Sequence, residues 1–165
     1  MVTRTSSQRS HYSLLTTHYS LLTTHYSLLI PHDSSRITGA AMLSIMMLTQ
    51  AGLRLAFLSN MTPKMLDAAI SNAGLEGAVE HRLSTDAVQA YKPDPRAYQM
   101  GVDAFRLARE QILFAAFGGW DAAGAKGFGY PTFWVNRLGL PVEELGVVPD
   151  AVGGSLTDLV TFVQG

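Results

Sequence analysis

Four polar residues lie in three loops that are expected at the carboxyl ends of buried strands. Ser59 and Asn60 come directly after an apolar stretch, Lys92 stands between a tyrosine and a proline, and Asp121 follows a Gly-Gly-Trp segment. A hydroxyl and an amide can bind a carboxylate or phosphate oxygen, and a fixed lysine can stabilise an anionic nucleophile or intermediate. Asp121 can orient water, bind a metal or hold Lys92. Together they predict one polar site at the strand ends.

Each of these residues also has an ordinary structural interpretation. A Ser-Asn pair after a strand is common in turns, and an aspartate such as Asp121 is favoured at the start of a helix by the helix dipole. Lys-Pro is a frequent loop dipeptide. The order and spacing of the four residues indicate a site more strongly than any one of them does.

The elements that would position these residues alternate along the chain. The apolar runs predict strands at residues 53–58, 79–83, 112–117 and 131–135. Helix start and stop signals, among them Gly and Pro, predict helices at residues 40–51, 64–73, 95–107, 121–128 and 156–163. Thr62 is expected to cap the second of these helices and Pro63 to occupy its first position. This alternation predicts an α/β fold with a parallel sheet covered by helices on both faces.

Composition limits the class of protein and of partner. The chain has 165 residues with 12 basic and 13 acidic side chains, a net charge of −1, so a nucleic-acid-binding surface is not expected. It contains no cysteine, which excludes disulfide frameworks and thiolate chemistry. The longest nearly apolar run, residues 40–48, is too short to span a bilayer, and no membrane association is expected.

A seven-residue repeat fills most of residues 1–38. Histidine recurs at positions 11, 18, 25 and 32, the first two copies both read HYSLLTT, and the fourth copy is degenerate. Four interpretations stay open: a heptad helix, a ladder of metal-binding histidines, an organellar targeting segment and a low-complexity extension. Ser and Thr favour helices poorly, and histidines two helical turns apart lie about 10 Å from each other, too far for one ion. We therefore predict a disordered or loosely helical extension at 1–38 and one domain at 39–165.

Three segments in a fixed order carry a family resemblance. They are LRLAFLSN at 53–60, YKPDPRAY at 91–98 and FGGWDAAGAKGFG at 117–129. This set resembles the type II, or L-2-, haloacid dehalogenases, and the similarity extends over about residues 40–165. The resemblance implies a Rossmann-like parallel sheet with flanking helices, the core of the haloacid dehalogenase-like hydrolases. It also implies hydrolysis of the carbon–halogen bond of short 2-haloacids with no cofactor and no metal.

The resemblance also implies roles for five residues. Lys92 and Asp121 match catalytic positions, since the lysine pairs with the family's nucleophile and the aspartate belongs to the fourth motif. Ser59, Asn60 and Tyr98 match substrate-binding positions, where the first two bind the substrate carboxylate and the tyrosine forms part of the site wall. In the family, an aspartate at the end of the first core strand attacks the carbon that bears the halogen, and water then cleaves the ester.

The same resemblance indicates what the sequence lacks. Family members carry Ser and Asn where this chain has Ala116 and Gly118, and those groups position the hydrolytic water. A strand ending in Asp with a Gly-Thr turn, and then a helical cap bearing an arginine, should precede the second motif, and neither is found in the sequence. Asp33 is the candidate surrogate nucleophile because it follows an apolar run. Pro31, however, would disrupt a central strand, and drift of the repeat also explains Asp33.

The missing strand belongs at the centre of the family's sheet. Its loss would leave two strand edges unpaired, so either the repeat fills the gap or the domain is poorly stable. We expect the family's first strand and cap to be missing, and residues 1–25 to stay outside the sheet. The chain is then a truncated and inactive member of the family.

Two alternative functions and a set of partners complete the sequence-based expectations. The alternatives are a non-catalytic pseudoenzyme domain that binds small carboxylates or another chain, and a superfamily phosphatase with Mg²⁺ held by a nucleophile and Asp121. The expected partner is a short 2-haloacid or another small carboxylate, and a family-like homodimer is an option. The expected location is the cytoplasm, with organelle targeting through residues 1–38 as the alternative.

Overall fold

One β-sheet and the helices on its two faces make up the described part of the chain. The computed structural model describes residues 13–17 and 39–165. The strands are β1 (Ser13–Thr17), β2 (Leu55–Ser59), β3 (His81–Ser84), β4 (Ile112–Ala116), β5 (Thr132–Val135) and β6 (Ala151–Gly153). The helices are α1 (Gly39–Gln50), α2 (Pro63–Asn72), α3 (Pro95–Phe105), α4 (Gly119–Phe128) and α5 (Leu156–Gln164). The predicted α/β class is confirmed.

The sheet is parallel and has the strand order β3-β2-β1-β4-β5-β6. Every pair of neighbouring strands in it runs parallel. Parallel neighbours need crossover connections; α2, α3 and α4 lie in the connections that follow β2, β3 and β4, whereas residues 136–150 connect β5 to β6 without a helix. The carboxyl ends of β2 and β4 therefore lie at the same edge of the sheet, on either side of β1.

The central position of the sheet is filled by β1, which corrects one of our expectations. Leu15 pairs with Ala56 of β2 on one side and with Phe114 of β4 on the other. The expectation that residues 1–25 stay outside the sheet, and that the first strand is missing, is therefore wrong for Ser13–Thr17. The physical reason is that β2 and β4 are both buried, so their facing N–H and C=O groups need a strand partner. The rest of that expectation, and Asp33, lie outside the described residues.

Two hydrophobic layers cover the sheet, one on each face. On one face, α1, α2 and α5 pack against alternate strand residues such as Phe57, Leu113 and Phe133. On the other face, α3 and α4 pack against the intervening residues, among them Leu58 and Phe114. Because successive strand residues point to opposite faces, this pattern accounts for the continuous apolar runs of β2 and β4.

Local sequence signals set the helix boundaries that matter for the site. Thr62 caps α2 by accepting a hydrogen bond from the backbone N–H of Met65 at 3.4 Å, and Pro63 is the first residue of the helix, as predicted. Asp94 caps α3 in the same way, by accepting the N–H of Arg96 at 2.9 Å. The observed helices and strands lie within a few residues of the predicted ones, but β6 was not predicted because three residues at a sheet edge carry little signal. None of the helices in the described residues is long and apolar enough to cross a membrane.

Candidate active site

A buried ion pair lies at the carboxyl edge of the sheet. The Lys92 ammonium Nζ donates a hydrogen bond to Asp121 Oδ2 at 2.8 Å and another to the backbone carbonyl of Leu58 at 3.3 Å. The Lys92 and Asp121 side chains are only 5% and 3% exposed. Leu58 directly precedes Ser59 and pairs across the sheet with Thr17, the final residue of β1. The ammonium thus sits beside the end of the central strand.

The backbone on both sides of Lys92 is held in place. The Asn60 side-chain oxygen Oδ1 accepts the backbone N–H of Lys92 at 3.0 Å and the hydroxyl of Thr85 at 3.2 Å. On the other side of Lys92, Asp94 follows two residues later and caps the start of α3. A lysine fixed in this way presents a positive charge without losing side-chain entropy when a ligand binds.

Tyr98 holds the second oxygen of the aspartate. Its hydroxyl donates to Asp121 Oδ1 at 2.8 Å, so both carboxylate oxygens accept a hydrogen bond from the protein. The Tyr98 ring packs edge-on against Phe114 at 5.5 Å between centroids, and the Tyr130 hydroxyl donates to the Tyr98 carbonyl at 2.5 Å. Asp121 is therefore oriented from two directions.

Burial and the Asp121 carboxylate act in opposite directions on the pKa of Lys92 but in the same direction on that of Tyr98. Burial lowers the pKa of the Lys92 ammonium, while the Asp121 carboxylate opposes that shift by favouring the charged form. Burial and the same carboxylate raise the pKa of the Tyr98 hydroxyl. The phenol therefore keeps its proton and remains a hydrogen-bond donor over the whole physiological range.

Three side chains at the site have a hydrogen-bond donor available to a ligand: Ser59 and Asn60 beside the ion pair, and Lys92 within it. The Ser59 hydroxyl oxygen accepts the N–H of Met61 at 3.1 Å, and its own O–H is not used within the described residues. The Asn60 oxygen has two donors, which leaves its amide N–H₂ group to donate. Lys92 has three N–H bonds and two acceptors in the described structure. Such a set of donors suits a small carboxylate.

Comparison with known proteins identifies the family. Residues 10–129 match the family model described as haloacid dehalogenase-like hydrolase. The chain belongs to the haloacid dehalogenase-like hydrolases. The match begins at residue 10 and therefore includes β1, in agreement with the strand order of the sheet.

Individual dehalogenases are similar to a large part of the chain. It is 49% identical to an (S)-2-haloacid dehalogenase of Pseudomonas sp. (strain YL) over 121 residues, which is 73% of this chain and 52% of that protein. It is 48% identical to haloacetate dehalogenase H-2 of Moraxella sp. (strain B) over 103 residues, or 62% of this chain and 46% of that protein. The chain therefore spans about half the length of these curated relatives.

Solved dehalogenase structures share the fold. The L-2-haloacid dehalogenase RSc1362 superposes with a TM-score of 0.77 and 44% identity, covering 79% of this chain and 57% of that one. The L-2-haloacid dehalogenase from Xanthobacter autotrophicus superposes with a TM-score of 0.73 and 29% identity, covering 83% and 69%. The Rossmann-like core implied by the resemblance is thereby confirmed.

The structure brings together the predicted site residues of this dehalogenase-like domain. Lys92 and Asp121 are in contact, and Asn60 holds the backbone of Lys92. Tyr98 is fully buried behind Asp121, so in this structure its contact is with the aspartate. The roles assigned to these residues remain predictions.

Sequence reasoning gave no role to two residues of the dehalogenase-like site. Trp120, next to Asp121 in the sequence, places its ring centroid 6.0 Å from Lys92 Nζ. Gly124, one turn further along α4, lies against Tyr98 and Pro93. The signal for Gly124 was its spacing of three residues from Asp121, which puts both on the same face of the helix.

Replacing Gly124 with alanine is expected to destabilise the domain by about 1–3 kcal/mol. A Cβ atom there would collide with the Tyr98 hydroxyl and would lie 2.8 Å from Pro93 Cβ, so the bond from Tyr98 to Asp121 would have to shift. Gly127→Ala, in the same helix but with open space around the added atom, is the matched control and should be neutral or stabilising by up to about 1 kcal/mol. Urea unfolding of the two variants measures the difference, and equal stabilities would contradict the expected packing.

Proposed function

We propose that this chain carries the substrate-binding and charge-stabilising part of a 2-haloacid dehalogenase site. The observation that carries this proposal is the buried Lys92–Asp121 pair at the carboxyl edge of the sheet, with the free donors of Ser59 and Asn60 beside it. The relatives are an (S)-2-haloacid dehalogenase and a haloacetate dehalogenase, which supports short haloacids as the substrate class. A homodimer and a cytoplasmic location are proposed from the same resemblance to the dehalogenases.

The proposed substrate contacts follow from the available donors. The carboxylate of a short 2-haloacid accepts hydrogen bonds from the Ser59 hydroxyl and the Asn60 amide. Lys92 supplies a positive charge beside the end of β1, where the family's nucleophile attacks. In the complete reaction a carboxylate oxygen forms a bond to the substrate carbon, the carbon–halogen bond breaks with its electron pair on the halide, and water then hydrolyses the ester.

Within residues 13–17 and 39–165, the part of the chain that the structure describes, we find no carboxylate suited to the nucleophilic step. The first acidic residue in the sequence is Asp33, so β1 contains no carboxylate. Asp121 already accepts a hydrogen bond on each carboxylate oxygen, from Lys92 and from Tyr98. We therefore propose that the chain as given binds haloacids but does not turn them over.

A phosphatase function has less support. It would require Mg²⁺ at Asp121, but both oxygens of that carboxylate are bound by protein donors, one of them cationic. No group of three or more His, Asp or Glu side chains that could hold a metal ion occurs in residues 39–165. The residues present at the site thus do not fit a magnesium ion.

Binding of 2-chloropropionate to the chain tests the proposal. Isothermal titration should detect binding to the parent chain and a weakening by about tenfold or more in Ser59→Ala, because a hydrogen bond to a charged group is lost. Ser71→Ala changes an exposed serine in the last turn of α2, at the opposite edge of the sheet, and should bind like the parent. Absence of binding to the parent chain, or equal affinities in all three proteins, would overturn the proposal.

A further inference from the structure

Tyr130 lies just beyond the far end of the helix that carries Asp121. It follows Gly129, which ends α4, and its backbone N–H donates to the Ala125 carbonyl at 3.1 Å. The Tyr130 side chain is fully buried, and its ring is stacked on the Phe114 ring with 5.7 Å between the centroids. The tyrosine is thus held at its backbone by α4 and at its ring by β4.

The Tyr130 hydroxyl bonds to two backbone groups in one turn of the neighbouring helix α3. It donates to the carbonyl of Tyr98 at 2.5 Å, and it accepts a hydrogen bond from the N–H of Val102. These two backbone groups are four residues apart and form one rung of the hydrogen-bond ladder of an α-helix. The hydroxyl therefore attaches one turn of α3 to the residue that follows the end of α4.

That turn of α3 begins at the residue that orients the buried aspartate. Tyr98, whose carbonyl accepts the Tyr130 hydroxyl, uses its own hydroxyl to donate to Asp121 Oδ1 at 2.8 Å. Tyr98 is on α3 and Asp121 is on α4, so the bond between them depends on how far one helix is displaced along the other. Apolar packing between the helices is non-directional, whereas a hydrogen bond weakens steeply when its angle changes. The Tyr130 hydroxyl thus restrains a displacement that apolar packing tolerates.

We infer that Tyr130 is a positioning residue of the site, whose hydroxyl fixes α3 against α4 and thereby keeps the Tyr98 hydroxyl on Asp121. It acts through Tyr98 and not by contact with a ligand. The carboxylate that Tyr98 orients is also the partner of Lys92, at 2.8 Å, so loss of the Tyr130 hydroxyl loosens the charge that a bound anion meets. The effect on the free site is independent of the substrate, whereas the effect on anion binding rests on the proposed function.

The carbon atom that bears the Tyr98 hydroxyl reports on the free site. In a chain labelled with carbon-13 at the ζ carbon of tyrosine, the NMR signal that is missing from Tyr98→Phe belongs to Tyr98. Tyr130→Phe keeps the stacked ring and should shift this signal, because the hydrogen bond from Tyr98 to the carboxylate weakens. Ser44→Ala is the matched control, since it removes a buried hydroxyl that donates to the Ala40 carbonyl of α1 at 2.9 Å, on the opposite face of the sheet. It should leave the signal in place, and circular dichroism checks that each variant is folded.

Affinity for 2-chloropropionate shows whether the effect reaches the bound anion. Tyr130→Phe should weaken binding by about threefold to tenfold, the range of one neutral hydrogen bond. In a Tyr98→Phe background the same substitution should have no further effect, because Tyr130 acts through Tyr98. An unmoved Tyr98 signal, an affinity equal to that of the parent, or the same loss with and without the Tyr98 hydroxyl would overturn the inference and leave the proposed function standing. A parent chain that does not bind 2-chloropropionate overturns the proposed function, and the Tyr98 signal alone then decides the role of Tyr130.

Discussion

Lys92→Met is expected to lower the free energy of unfolding by about 3–5 kcal/mol. Methionine has nearly the length of lysine, but the substitution leaves the Asp121 carboxylate, 3% exposed, without its cationic partner. The Tyr98 hydroxyl remains as a donor to that carboxylate, yet one neutral hydrogen bond does not replace an ion pair in a buried site. Urea or thermal unfolding followed by circular dichroism measures the loss.

The chain offers a matched control for this prediction. Lys126 forms an ion pair of 2.6 Å with Asp150, in which the side chains are 33% and 39% exposed. Lys126→Met should therefore cost about 1 kcal/mol or less, because solvent screens an exposed pair. If Lys92→Met were no more destabilising than Lys126→Met, the buried Lys92–Asp121 pair would contribute no more to stability than the exposed Lys126–Asp150 pair.

A compensating variant separates loss of charge from loss of packing. Lys92→Met combined with Asp121→Leu and Tyr98→Phe removes both charges and the hydroxyl that would lose its carboxylate acceptor. Replacement of a buried ion pair by apolar side chains is often neutral in stability, so this triple variant should recover most of the loss. A triple variant less stable than Lys92→Met alone would indicate a packing effect.

Halide release from 2-chloropropionate should not exceed the background rate when the chain is used as given. Ser59, Lys92 and Asp121 can bind the substrate and stabilise charge, but no carboxylate in β1 can attack the substrate carbon. Removal of a nucleophile costs several orders of magnitude in rate, because only positioning and electrostatic effects remain. An ion-selective electrode for chloride measures the release directly.

Asp33→Asn is the control for this second prediction. If the parent chain releases chloride and Asp33→Asn does not, then Asp33 is the nucleophile and the sequence-based surrogate was correct. Chloride release that survives the substitution would require another nucleophile. The expected result is that both proteins bind 2-chloropropionate and that chloride release in both equals the background rate.

The sequence predicted the elements around the site well because each has a local signal. Thr62 and Pro63 define the start of α2, and the two prolines around Asp94 define the start of α3. The apolar runs before Ser59 and Gly118 are buried strands whose ends must lie at one edge of a parallel sheet. The meeting of Lys92 with Asp121 follows from that topology.

Features that depend on contacts distant in sequence could not be predicted in the same way. β1 has no helix or strand signature beyond two leucines and two threonines, and its place is determined by the unpaired edges of β2 and β4. The position of Tyr98 behind Asp121, and the need for glycine at 118 and 124, depend on side-chain packing that a single sequence does not reveal.

The central position of β1 has a consequence for the order in which the protein can fold during synthesis. β1 is translated before both of its partners, and Leu15 pairs with Ala56 on one side but with Phe114, which is much further along the sequence, on the other. Long-range parallel pairing is slow because the loop must close before the strands are stabilised. A ribosome-bound chain that ends before β4 leaves one edge of β1 open to other chains, and exposed strand edges of this kind promote aggregation. Rapid translation of the segment between α1 and β4 shortens that exposure and therefore favours the yield of folded protein.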